Sequence, residues 1–324
     1  MSSFSSKAIT YSFAIGAIGG MVIILKRKAH GITFNGDERI HGRTVIVTGA
    51  NCGIGYQTAG MLAARGGKVI MACRDMKKCE DAKEEIIKNT WNKKVFCKHL
   101  DLASLDSIKE FAEDFNKNES RLDILINNAG IMRCPKQITK DGFEMQLGVN
   151  YLGHFLLTNL LLDKLKRCAP SRIVNITAIS QKKGKINFED LNSDTNYDAG
   201  KAYDQSQLAI MLFTKELAKR LDDTGVTVNA AYPGITKSDL GRHLSVNKSY
   251  ISSFFMKPIN YVVMRTLEEG AATPVFCAIG HDIRNTTGNL FYNMQEKEVT
   301  GDANNENIAK RLWLTSEKWT RLTD

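Results

Sequence analysis

Short apolar runs alternate with amphipathic stretches along most of this 324-residue chain, from about residue 44 onward. The runs show little alternation of apolar and polar residues, which is typical of strands buried on both faces of a sheet. Repeated strand–helix units predict an α/β fold, a doubly wound parallel sheet with right-handed crossovers and helices on both faces. The predicted strands are 44–49, 68–73, 94–101, 122–127, 172–177 and 227–234, and the predicted helices include 75–89, 105–118 and 146–167.

A glycine-rich turn with the sequence TGANCGIG joins the first predicted strand to the helix that follows it. Gly49, Gly53 and Gly55 allow a tight turn and a close approach of the backbone to a pyrophosphate. The free N–H groups at the start of the helix carry a partial positive charge that attracts phosphate. The turn therefore predicts a Rossmann-type dinucleotide site, to which Asn51 and Ile54 also belong.

The end of the second predicted strand indicates which dinucleotide is bound. An acidic residue there favours a cofactor with a free 2′-hydroxyl, and a basic residue favours a 2′-phosphate. Arg74 follows this strand directly, which predicts NADP(H). Asp75 comes next and keeps NAD(H) as the alternative.

An uncharged apolar segment, residues 8–25, precedes the predicted domain and is followed by the basic residues 26–28. About 18 apolar residues is the lower limit for crossing a bilayer. No small-residue cleavage site follows, which favours a retained membrane anchor over a removed signal peptide. The positive-inside rule places the downstream domain on the cytosolic side. The predicted organisation is an anchor with its basic flank (1–28), a linker (29–41) and one domain (42–324).

The cysteine content and the charge exclude several classes of protein. Seven cysteines, an odd number without a CxxC pair, predict a reducing compartment with neither a disulfide framework nor a structural zinc site. No metal site of any kind is predicted. The net charge is +9, but no basic patch with interleaved aromatic residues occurs, which argues against nucleic-acid binding.

Further motifs follow the glycine turn in a set order: HLDLAS, NNAG, GVNYLGHF, RIVNIT, AYDQSQLA and YPG. From about Gly42 onward the chain resembles the short-chain dehydrogenase/reductase family, and within it the retinol dehydrogenase branch. The resemblance implies a membrane-anchored, NADP(H)-dependent oxidoreductase that acts on a lipophilic alcohol or aldehyde, retinoids included. It implies an endoplasmic reticulum location with the domain facing the cytosol, with a mitochondrial membrane as the alternative. It also implies cofactor contacts from Asp101, Asn128, Gly130, Pro233, Gly234, Ile235 and Thr236.

The resemblance further implies a catalytic tetrad, from which this chain departs at two positions. Asn150 and Tyr203 match the family's asparagine and its acid/base tyrosine. Ala178 stands where the family has a serine that steadies the substrate oxygen. Gln207 stands where it has a lysine that lowers the pKa of the tyrosine and binds the nicotinamide ribose. The chain is therefore expected to be a slow or rearranged oxidoreductase, or a pseudoenzyme that binds a dinucleotide and a lipid or protein partner.

A second tyrosine–lysine pair, Tyr197 and Lys201, has the same spacing as the family pair. Asp198 and Gly200 are typical of a helix start, so we assign the acid/base role to Tyr203 inside the helix.

Two further alternatives remain open. Thr177 and Ser180 are candidate hydroxyl groups in place of Ala178. The apolar and aromatic segment 244–264 is predicted to be either a packed helix pair or the lid of a lipophilic pocket.

Overall fold

The computed structural model describes residues 32–236, 240 and 264–322. Within this part of the chain, eight strands form one sheet. In chain order the strands are β1 (Thr44–Thr48), β2 (Lys68–Cys73), β3 (Val95–His99), β4 (Ile124–Asn127), β5 (Ser171–Ile176), β6 (Val226–Tyr232), β7 (Leu290–Tyr292) and β8 (Gln295–Lys297). The helices are α1 (Gly53–Ala64), α2 (Met76–Thr90), α3 (Leu105–Asn118), α4 (Gly153–Arg167), α5 (Ala199–Arg220), α6 (Leu267–Ile279) and α7 (Glu306–Thr320).

The sheet has the order β3-β2-β1-β4-β5-β6-β7-β8. All neighbouring strands are parallel except β7 and β8, which form an antiparallel pair. The predicted Rossmann-type sheet is confirmed. The prediction that the strands are buried on both faces was wrong for β3. This strand lies at the edge of the sheet, and its Phe96 side chain is half-exposed.

Two apolar clusters cover the two faces of the sheet. Side chains alternate between them along each strand, so that Ile46 enters one cluster while Val45 and Val47 enter the other. The first cluster contains residues of α3, α4, α5 and α7, and the second contains residues of α1, α2 and α6. The helices therefore lie on both faces, as the alternating sequence pattern predicts.

The C-terminal helix α7 closes the first cluster through aromatic contacts. The Trp313 ring lies 4.9 Å from Phe155 and 5.9 Å from Phe213, measured between ring centroids. The Arg220 guanidinium lies 4.1 Å above the same indole. The hydroxyl groups of Tyr151 and Ser316 form a hydrogen bond of 2.7 Å beside it. Trp313 thus joins α7 to both α4 and α5.

Part of the predicted linker packs against the domain. Phe34 and Ile40 are buried in the second cluster. The Arg65 guanidinium, at the end of α1, donates to the carbonyl oxygens of Phe34 and Gly36 at 3.3 and 3.1 Å. The chain therefore reaches the domain beside the end of α1.

Cys79 in α2 and Cys97 in β3 form a disulfide. The expectation of a chain without disulfides was wrong for this pair. Their Cα atoms lie 6.0 Å apart because α2 packs back over β3, and cysteines at that distance can be bridged.

The predicted anchor, residues 8–25, and nearly all of the segment 244–264 lie outside the described residues. Of the helices described, none combines the length and the apolar character needed to cross a membrane.

Candidate active site

The predicted cofactor residues lie along the carboxyl edge of the parallel strands. The glycine turn follows β1, Arg74 follows β2, Asn128 follows β4, and Pro233 follows β6. Strand order reverses between β1 and β4, and a crevice at such a switch point is where open α/β sheets bind ligands.

Backbone conformation and crowding both favour glycine in the turn after β1. Gly49 and Gly53 have φ angles of +63° and +60°. A Cβ on Gly55 would lie 2.4 Å from Asn128 Nδ2 and 2.5 Å from the Gly49 carbonyl oxygen. In α1, no side chain caps the first turn and no acidic residue lies in it. The positive end of α1 is therefore available to a phosphate, and these residues fit a dinucleotide.

A buried network that sequence reasoning missed holds the turn against the NNAG segment. Thr48 Oγ1 accepts from the backbone N–H groups of Asn128 and Ala129, both at 2.9 Å. The same oxygen lies 2.9 Å from His154 Nε2, and His154 Nδ1 lies 3.0 Å from the Asn150 carbonyl oxygen. A carbonyl oxygen only accepts, so Nδ1 carries the proton and Nε2 accepts from Thr48.

Burial lowers the pKa of His154 to about 4, so the imidazole in this network is neutral at physiological pH. His154 belongs to the GVNYLGHF motif, and Thr48 belongs to TGANCGIG. Their positions in these motifs were the only sequence signal, because the contact joins residues far apart in the chain.

The side chains of Asn128 and Asp101 bind backbone groups near the site, and Gly130 lies close to Asn150. Asn128 Nδ2 donates to the Thr48 carbonyl oxygen at 2.8 Å. Asp101 Oδ1 accepts from Ala103 N at 3.0 Å. A Cβ on Gly130 would lie 3.5 Å from Asn150 Oδ1, which places this glycine beside the predicted tetrad.

The segment after β6 is supported by Arg265, a residue that sequence reasoning missed. The Arg265 guanidinium is buried beneath Gly234, whose φ is +84°. It donates to the Pro233 carbonyl oxygen at 3.3 Å and to Tyr292 Oη at 2.6 Å. Arg265 N also donates to the Ile235 carbonyl oxygen at 2.8 Å. Arg265 and Thr236 are paired in an isolated parallel β-bridge.

Helix α5 begins as its sequence predicts. The Asp198 side chain caps it by accepting from Lys201 N at 2.8 Å. Tyr197 lies before the helix, where its hydroxyl donates to the Cys134 carbonyl oxygen at 2.7 Å and accepts from Gln146 Nε2 at 3.0 Å. These bonds give Tyr197 a structural role in joining two loops.

Asn150 lies in a π-helical turn, Gly148–Leu152, which follows the short helical segment Met145–Leu147 and leads into α4. Its Nδ2 donates to the Ile131 carbonyl oxygen and to Ser206 Oγ, both at 3.0 Å. Ser206 Oγ in turn donates to the Tyr203 carbonyl oxygen at 2.8 Å. The structure thus links Asn150 to the helical turn that carries Tyr203.

Gln207 is buried one turn beyond Tyr203. Its backbone and side-chain oxygens accept from Thr177 Oγ1 at 3.3 and 3.4 Å. Thr177 therefore turns its hydroxyl toward α5. Ser180, by contrast, lies beside Asp204, and its hydroxyl acts to lower the pKa of that carboxyl group. Neither candidate hydroxyl is therefore without a neighbouring group, since Thr177 faces Gln207 and Ser180 faces Asp204.

Burial is the main cause that raises the pKa of Tyr203, and Asp204 and Tyr232 act in the same direction. Arg133 is the cation that opposes them. A Cβ on Gly200, one turn before Tyr203, would lie 3.9 Å from the Arg133 guanidinium, so this guanidinium rests against the start of α5. The Tyr203 hydroxyl therefore stays protonated at physiological pH.

Residues 43–249 match the sequence profile of the short chain dehydrogenase family. The chain belongs to this family. It is 49% identical to retinol dehydrogenase 13 of Homo sapiens over 306 residues, which cover 94% of this chain and 92% of the relative. It is 48% identical to retinol dehydrogenase 11 of Mus musculus, with 86% of each chain covered. These relatives place this short-chain dehydrogenase in the retinol dehydrogenase branch.

Solved structures of other proteins share the fold. An uncharacterised protein from Mycobacterium paratuberculosis is 34% identical, with a TM-score of 0.72 and coverage of 90% of this chain and 98% of that one. The RhlG/NADP active-site complex of Pseudomonas aeruginosa is 25% identical, with a TM-score of 0.62 and coverage of 80% and 97%. The described sheet is therefore that of a short-chain dehydrogenase.

Proposed function

We propose that this short-chain dehydrogenase is an NADP(H)-dependent oxidoreductase that reduces a lipophilic aldehyde of the retinal type. Tyr203 is the acid/base residue, and Asn150 positions it. The observation that carries the proposal is the bonded path from Asn150 through Ser206 to the Tyr203 turn, at the carboxyl edge of the sheet. The names of the relatives support a retinoid-like substrate, and the complex of RhlG with NADP supports NADP as the cofactor.

A bound nicotinamide cofactor supplies the hydride that reduces the carbonyl carbon. The residues that would hold the cofactor are the glycine turn with Asn51 and Ile54, Arg74, which would bind a 2′-phosphate, and Asp101, which would contact the adenine. Asn128, Gly130, Pro233, Gly234 and Thr236 would complete the cofactor site. Tyr203 donates the proton to the substrate oxygen. Burial raises the pKa of Tyr203, so its hydroxyl holds the proton that reduction requires.

The absence of the family's serine and lysine lowers the expected rate. Loss of one oxyanion-type donor costs about a hundred- to a thousandfold, and loss of help in proton transfer costs a similar factor. Ala178 and Gln207 therefore favour a second candidate function, a pseudoenzyme that binds a dinucleotide and a lipid or protein partner.

Incubation of the purified full-length protein with NADPH and retinal separates the two functions. The oxidoreductase should consume NADPH slowly, and Tyr203→Phe should abolish this activity, whereas Tyr197→Phe should leave it. NADPH binding without turnover of retinal or of other lipophilic aldehydes would establish the pseudoenzyme instead.

Arg74→Ala is expected to weaken NADPH binding by roughly tenfold or more and to leave NADH binding nearly unchanged. A hydrogen bond to a charged group contributes about 1.5–3 kcal/mol, and only NADPH offers the 2′-phosphate. Lys77→Ala is the matched control, since Lys77 is an exposed cation in the first turn of α2. Titrations that follow tryptophan fluorescence measure both affinities. Equal loss for the two cofactors would refute the assignment of Arg74.

We further propose that residues 8–25 anchor the protein in the endoplasmic reticulum or a mitochondrial membrane, with the domain facing the cytosol. The uncharged run and its basic flank support this proposal.

A further inference from the structure

The most exposed large apolar side chain of the described residues is that of Trp91, which is 89% exposed. Trp91 is the residue that ends α2, and it has the left-handed backbone conformation with φ of 57°. Its N–H donates to the Ile87 carbonyl oxygen at 2.8 Å. The indole thus projects from a formed helix end.

The turn around Trp91 is tied to the rest of the domain. Asn92 Nδ2 donates to the carbonyl oxygens of Ala63 and Gly67, both at 2.8 Å. Asn92 Oδ1 accepts from Lys94 N at 2.9 Å. These bonds connect the turn that carries Trp91 to the end of α1 and to the loop after it.

Exposed lysines flank Trp91 in the sequence. Lys88, Lys93 and Lys94 are exposed, and the stretch 88–94 contains no acidic residue. We call these three lysines and Trp91 the Trp91 surface. Tryptophan is enriched where a membrane meets water, because its ring is apolar and its N–H is polar. Lysines beside it are attracted to anionic lipid headgroups.

The N-terminal part of the chain reaches the domain next to the Trp91 surface. The loop after α1 contacts the Trp91 turn on one side, through Asn92. On the other side, Arg65 binds the carbonyl oxygens of Phe34 and Gly36. A Cβ on Gly67 would lie 2.7 Å from Ile40 Cδ1. The residues between the basic flank 26–28 and Phe34 span at most roughly 20 Å when extended, so the predicted anchor keeps this end of the domain close to the bilayer.

We propose that the Trp91 surface docks on the anionic surface of the membrane that holds the N-terminal anchor. Trp91 inserts among the headgroups, and the three lysines pair with anionic lipid. The proposal rests on the membrane anchoring proposed above, and it adds a second contact that fixes the orientation of the domain.

Depth-dependent quenching of tryptophan fluorescence in reconstituted vesicles tests the proposal. The chain has three tryptophans, and none lies in the first 31 residues. Trp313 is buried, and Trp319 packs partly buried against the first apolar cluster, so contact with lipid reports on Trp91. The full-length protein is reconstituted in phosphatidylcholine vesicles with and without phosphatidylserine, and headgroup-proximal brominated lipid is the quencher.

We expect brominated lipid to quench the fluorescence, more strongly with phosphatidylserine, and Trp91→Phe to remove the quenched component. Replacing Lys88, Lys93 and Lys94 by Glu should weaken the docked state by at least about fivefold per lysine and abolish the effect of phosphatidylserine. The control variant replaces Lys140, Lys310 and Lys318 by Glu, since these are exposed lysines elsewhere on the domain. It should retain the quenching.

Flotation of the same vesicles separates this proposal from the anchor. Protein that floats without quenching of Trp91 overturns the docking and leaves the anchor standing. Protein that floats neither with phosphatidylcholine vesicles nor with those that contain phosphatidylserine overturns both the docking and the anchor. If Trp91 is shielded from aqueous iodide but is not quenched by brominated lipid, the indole is in contact with protein. This result also overturns docking on lipid.

Discussion

The double replacement Gln207→Lys and Ala178→Ser is expected to raise the rate of reduction of a retinal-like aldehyde by roughly a hundredfold or more. Gln207 is buried one helical turn from Tyr203, so a lysine there would bring a positive charge one turn from the tyrosine and would bind the ribose of a bound nicotinamide cofactor. A serine at 178 returns the hydroxyl that steadies the substrate oxygen. Because both groups act in the same transition state, the double variant should gain more than either single variant.

Steady-state rates with NADPH and retinal measure this effect. Tyr203→Phe in the repaired background should abolish the gain, and Tyr197→Phe is the matched control, since its hydroxyl is bonded to the Cys134 carbonyl oxygen. A repaired protein that binds NADPH yet remains as slow as the wild type would show that the tetrad is assigned wrongly.

The pH dependence of the reverse reaction should change in a defined direction. Oxidation of an alcohol requires the ionised tyrosine, and burial raises the pKa of Tyr203. The lysine charge lowers this pKa, so alcohol oxidation by the repaired protein should reach half its maximum at a lower pH than in the wild type.

If the wild type is already fast, Arg133 is the first cation to replace, because it lowers the pKa of Tyr203 whereas Lys201 faces solvent.

Trp313→Ala is expected to lower the free energy of unfolding by about 3–5 kcal/mol, the usual cost of removing a large buried aromatic side chain. Trp313 is 4% exposed and contacts Phe155 and Phe213, so its loss leaves a cavity between α7 and the helices α4 and α5. Urea unfolding followed by circular dichroism measures the change.

Leu314→Ala is the matched control for this variant. Leu314 is the next residue of the same helix but is 63% exposed, so its loss should change the free energy of unfolding by only about 0.5 kcal/mol. Equal effects of the two replacements would contradict the packing of α7 into the first apolar cluster.

The sequence was sufficient to predict the elements whose signal is local. The strand β2 and the helix α3 occupy the predicted residues, because an apolar run and a helical period are both read within a few residues. The glycine turn after β1 was predictable for the same reason. The strands β7 and β8 have three residues each, too few for a recognisable pattern.

Contacts between distant residues were not predictable. The Thr48–His154 bond and the packing of Arg265 beneath Gly234 depend on which elements become neighbours in the sheet. The Cys79–Cys97 disulfide has the same origin. The number and spacing of cysteines in a sequence indicate whether disulfides are usual in that class of protein. They do not show which two cysteines lie close enough in the fold to be bridged.

The point at which the chain reaches the domain has a consequence for how substrate arrives. Phe34 and Arg65 contact each other next to the loop that leads into β2, at the amino edge of the sheet. Tyr203 belongs to the proposed site at the opposite, carboxyl edge. If the amino edge faces the bilayer, the reaction centre opens toward the cytosol at a distance of roughly one strand length, about 17–20 Å. A lipophilic substrate would then have to leave the bilayer before it reacts, and this transfer, more than lateral diffusion in the membrane, would set the rate of delivery.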